Sequence, residues 1–108
     1  MEIDLENLFN KLKIHMGENF VERFESVLRK TAKLPIPQLN MHSQKLEKYL
    51  NRMAEGKMSE EDFTVRMRDV IRLTEMESLR MEVETKAKAQ QLIELTNDLI
   101  SFFKSTIL

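Results

Sequence analysis

The chain predicts an all-α fold, and three observations carry that expectation. Its 108 residues include only two glycines, Gly17 and Gly56, and two prolines, Pro35 and Pro37. So few breakers leave little room for the many turns of a β architecture. Apolar residues recur at steps of three and four, which places them on one face of a helix. The breakers also sit beside helix-start and helix-end chemistry. Three helices are expected, over about 4–33, 37–55 and 59–104. The last is very long, and the helical bundle or coiled coil is completed by oligomerisation.

The first segment carries Leu5, Leu8, Phe9, Leu12, Met16, Phe20, Phe24, Val27, Leu28 and Thr31 on one face. Asp4 is its expected cap, with Glu6 favourable in the first turn. Gly17 falls inside the pattern and is its weak point, because glycine costs about 1 kcal/mol relative to alanine in a helix interior. Pro35 disfavours helical geometry at Leu34, and Pro37 suits the first turn of the next helix.

The second helix shows Leu39, His42, Leu46, Tyr49, Leu50 and Met53 on one face, and Gly56 supplies the left-handed residue that commonly follows a helix end. In "GKMSEEDF", Ser59 stands at the cap position and Asp62 three residues later, close to a capping box. Met58 and Phe63 flank the cap as a hydrophobic staple. The acids Glu60, Glu61 and Asp62 lack the alternating oxygen spacing of a calcium loop, so the stretch reads as a helix start.

From Ser59 no glycine or proline interrupts the chain. A continuous helix of about 45 residues would be about 70 Å long at 1.5 Å per residue. Phe63, Met67, Val70, Ile71, Leu73 and Met76 form its first stripe. The stripe thins to Met81, Val83, Ala87 and Ala89, which suits either an exposed connector or a close helix approach. Arg80, Glu84, Lys86 and Lys88 favour partial exposure there. Leu92, Leu95, Leu99, Phe102 and Phe103 restore the stripe. One helical domain over 1–108 is expected, with a subdivision into a 1–79 bundle and an 80–108 extension.

Composition excludes several classes of function. There is no cysteine, so disulfide frameworks, thiol catalysis and cysteine zinc sites are ruled out. The net charge of −1 lacks the basic excess of a chain that lives on phosphate. Acids at Glu2, Asp4 and Glu6 do not suit a secretory leader, and no apolar run approaches the ~20 residues of a membrane span. A soluble, cytoplasmic protein is expected. The eight methionines read as flexible filler of helical core gaps.

His15 and His42 are the only histidines. A paired acid–base or metal couple would need them across an interface, but a histidine on an apolar seam reads more simply as a packing or register-setting group. Glu-x-x-His, His-Glu-x-x-His and phosphate-loop motifs are absent. No enzyme activity, metal or cofactor is therefore expected. Arg66, Arg68 and Arg72 could serve nucleic acid in a helix-turn-helix-like arrangement with the second helix. Asp69, Glu75 and Glu77 interleave with them and favour a solvated face. The 92–108 tail has few cations for a membrane surface.

The expected function is a non-enzymatic protein–protein interaction module, a small adaptor, assembly factor or regulator. It would be a homodimer or higher homo-oligomer with a protein partner, anchored by Leu92, Leu95, Leu99, Phe102 and Phe103 meeting themselves or the 5–28 stripe of a second chain. The alternative is a nucleic-acid-binding regulator.

Overall fold

A computed structural model describes residues 17–107 together with Asn10, Lys13 and Ile14. The described residues hold no strand and four helices: α1 (Glu18–Lys33), α2 (Pro37–Ala54), α3 (Glu60–Ser78) and α4 (Val83–Ile107). Asp4, Glu6, His15 and the apolar positions Leu5, Leu8, Phe9, Leu12 and Met16 lie outside the described residues.

Two expected helices are corrected. The first begins at Glu18, after a break at Gly17, rather than running unbroken from 4. Gly17 has φ 92°, which side chains on Cβ strongly disfavour, while its N–H still donates to the Lys13 carbonyl at 3.0 Å. The 59–104 helix is two helices, split at Leu79–Glu82. The reason is burial: a straight helix would leave its apolar stripe in water, and folding back lets α3 and α4 cover one another. The longest dimension is 37 Å, about half of what the straight helix needs.

Each remaining boundary has a local cause. Asn40 sends its side-chain N–H groups to the carbonyls of Thr31, Ala32 and Leu34 at 3.0, 3.1 and 2.6 Å. It thereby satisfies the end of α1 across the proline-containing joint. Pro37 occupies the first turn of α2, where its missing N–H is harmless.

At the other end of α2, Gly56 takes φ 74° and donates to the Met53 carbonyl, while Lys57 donates to Arg52. This pair of bonds is a Schellman closure. Ser59 Oγ then accepts from the Asp62 N–H at 3.0 Å, as the capping reading expects. Met58 and Phe63 both join the core, Phe63 fully buried.

Short joints make neighbours antiparallel. Thr31 meets Ser43 at 2.6 Å between α1 and α2. Phe63 meets Phe103 edge-on at 5.3 Å between the start of α3 and the end of α4. Helix α4 also packs on α1, closing an up-down-up-down bundle in which α2 and α4 touch across the core. Val21, Phe24, Leu39, Leu46, Leu50, Phe63, Met67, Leu92, Leu95 and Leu99 fill its centre. Leu73 and Met76, expected in the α3 stripe, are instead 46% and 61% exposed.

Candidate functional site

The most polar place in the core is built around His42. The α2 stripe that buries Leu39, Leu46 and Leu50 buries this imidazole as well. Its Nδ1 lies 2.7 Å from Thr74 Oγ1 of α3, and its Nε2 lies 3.0 Å from Thr96 Oγ1 of α4. Each threonine also reaches back one turn within its own helix, Thr74 to the Val70 carbonyl at 2.9 Å and Thr96 to the Leu92 carbonyl at 2.7 Å. Gln38 Nε2 approaches Thr74 at 3.4 Å. One side chain therefore joins three helices.

Burial pushes the His42 pKa down from 6.5 to about 4, so the imidazole is neutral near pH 7. A neutral imidazole has one N–H and one acceptor nitrogen. It donates to one threonine and accepts the hydroxyl proton of the other, whose back-bond to its own helix is then given up. Among the described residues no buried side-chain nitrogen or oxygen lacks a partner. The pairing of histidine with threonine hydroxyls resembles a base beside a nucleophile. However, His42, Thr74 and Thr96 are all closed to solvent, so the cluster acts as a polar crosspiece in this packing.

Other predicted residues fall in two groups. Leu92, Leu95, Leu99 and Phe103 are buried inside their own chain, and Phe102 is half-buried beside Phe103 at 5.4 Å. Their stripe is covered by the bundle itself. Arg66, Arg68 and Arg72 lie on the exposed side of α3. The Arg66 guanidinium sits 5.9 Å from the Tyr49 ring centre, and Arg72 is 3.7 Å from Asp69. These contacts spread the arginines over different neighbours.

The outer face of the α3–α4 hairpin was not recognised from the pattern. Met76, Leu79 and Val83 are 61%, 76% and 85% exposed, and Val65 and Leu73 are 59% and 46% exposed. The spacing assigns Leu73 and Met76 to the first stripe and Val83 to the thin one that follows, and gives Val65 and Leu79 no role. Between α1 and α2 lies a groove of about 390 Å³ with Leu28 and Leu50 at its base and Glu25, Arg29, Lys33 and Glu47 around it. Its charges are mixed, two acids with two bases.

Among the described residues no group of three or more histidine, aspartate or glutamate side chains is placed to hold a metal. Among the same residues, no helix is long and apolar enough to cross a membrane. No family model, curated protein or solved structure matches this chain.

Proposed function

We propose that the protein is a non-enzymatic helical interaction module that presents the outer face of the α3–α4 hairpin to an apolar surface of a partner protein. The observation that carries this reading is the exposure of Leu73, Met76, Leu79 and Val83 together. Grouped exposed apolar residues mark interaction sites, whereas scattered ones do not. Met76, Leu79 and Val83 are mostly exposed, so burial within the bundle gives little reason for their being large and apolar. The mixed charges around them, Asp69, Arg72, Glu75 and Glu77, would form the polar rim of such a contact.

The nucleic-acid reading has less support, because Arg66 and Arg72 already have neighbours and acids stand between the arginines. The test is quantitative affinity capture from source cells with wild type and with Met76→Asp/Leu79→Asp. Both positions are exposed, so the double variant should unfold with a free energy within about 1 kcal/mol of wild type. A specific protein partner lost from the variant supports the reading. The same catch with both proteins would overturn it.

A further inference from the structure

The joint between α3 and α4 is unlike the other two. Pro35 shapes the first joint and Gly56 the second, but Leu79, Arg80, Met81 and Glu82 contain neither residue type. All four are strong helix formers. None has a positive φ, and the turn is held by Arg80 N–H to Glu77 O at 3.0 Å and Met81 N–H to Ser78 O at 3.1 Å. Nothing local requires the chain to bend here.

The core stripe also continues in phase through the bend. Val70, Thr74, Ser78, Met81, Thr85 and Ala89 follow at steps of four, four, three, four and four, and Leu92 comes three later. If Leu79–Glu82 became helical, these residues would all face one side. A hairpin alone does not require that, since each arm sets its own phase.

We propose that the protein forms a domain-swapped dimer in which Leu79–Glu82 straightens, α3 and α4 become one helix, and α4 packs into the bundle of a second copy. The occupant is a second copy because the surface that α4 leaves is complementary to α4. Thr96 of the second copy would complete the His42 crosspiece, and its Phe103 would meet Phe63. Such an exchange keeps the native core contacts and adds only the crossing.

The crossing is itself complementary. Thr74 and Thr96 stand level across His42, so the two long helices would run antiparallel with Thr85 near the two-fold axis. Met81 of each copy then stands level with the small, buried Ala89 of the other. Glu82 and Lys86 share one flank of the stripe, and Glu84 and Lys88 share the other. Antiparallel copies therefore place glutamate against lysine on both flanks. Within each chain the same pairs, spaced four apart with glutamate first, support this end of α4 in either form, the Lys86 N–H already donating to the Glu82 carbonyl at 2.8 Å.

The native chain has no cysteine, so nitroxide labels can be placed at Glu61→Cys and Lys104→Cys alone, both exposed sites. Doubly labelled chains are refolded at high concentration with excess unlabelled chain, and monomer and dimer are separated. In the closed hairpin the labels are near each other, as the 5.3 Å between Phe63 and Phe103 implies. In the straight helix they are about 65 Å apart at 1.5 Å per residue.

A dimer showing the long intrachain distance is the expected result. Arg80→Gly/Met81→Gly should weaken that dimer about tenfold or more while leaving the monomer folded. A dimer showing only the short distance would mean two closed bundles docked together and would overturn the proposal. A protein that stays monomeric at every concentration, before and after refolding, would overturn it as well.

Discussion

At the scale of single residues, His42 determines how stability responds to acid. Its folded pKa of about 4 lies below the ordinary 6.5 because burial disfavours the imidazolium. The unfolded chain therefore binds the proton more readily than the folded one. The neutral histidine's contribution is complete above pH 6.5, declines as pH falls, and is fully lost only below about 4. A difference of this size is worth about 3 kcal/mol. Urea unfolding at pH 7 and pH 4 should show that loss in wild type over and above the change in His42→Leu. Parallel pH profiles for the two proteins would mean that His42 stays solvated or charged. The sequence placed His42 correctly on the α2 seam, but its partners lie 32 and 54 residues away. A threonine in a helix does not show which distant side chain it will meet.

At the scale of elements, caps and turns were the most legible parts. The Gly56 and Ser59 readings rest on chemistry within a few residues, and both appear in the structure with the expected bonds. Gly56→Ala should cost about 1–2 kcal/mol from left-handed backbone strain alone. No atom lies within 4 Å of an added Cβ, so a clash contributes nothing. Gly56→Asn should recover part of that loss, because asparagine tolerates this backbone better. Chemical denaturation of the three proteins would separate the two effects. The α3–α4 joint was not legible for the same physical reason: it lacks any residue that bends a chain locally.

At the scale of the whole molecule, folding back changes what the 92–103 stripe does. In an unfolded-back helix Leu99 would be a surface anchor; here it is fully buried. Leu99→Asp would place an unpaired carboxylate in the core, a change expected to cost more than about 4 kcal/mol. That is a large share of the ordinary stability of a domain. Circular dichroism should show lost helix and lost cooperativity, instead of a folded monomer released from a dimer. A folded, cooperative Leu99→Asp monomer would mean that α4 is not seated in the core as described.

The sequence by itself determined the all-helical class, the start and end of α2, the cap of α3 and the faces that α2 and α4 turn inward. These follow from spacing, propensity and hydrogen bonds that close within one or two turns. Tertiary structure alone decided that the chain breaks at Leu79–Glu82, that Leu73 and Met76 face outward, and that His42 joins Thr74 to Thr96. In each case several local solutions are close in energy. The choice among them comes from burying apolar surface between elements far apart in the chain, which local spacing cannot encode.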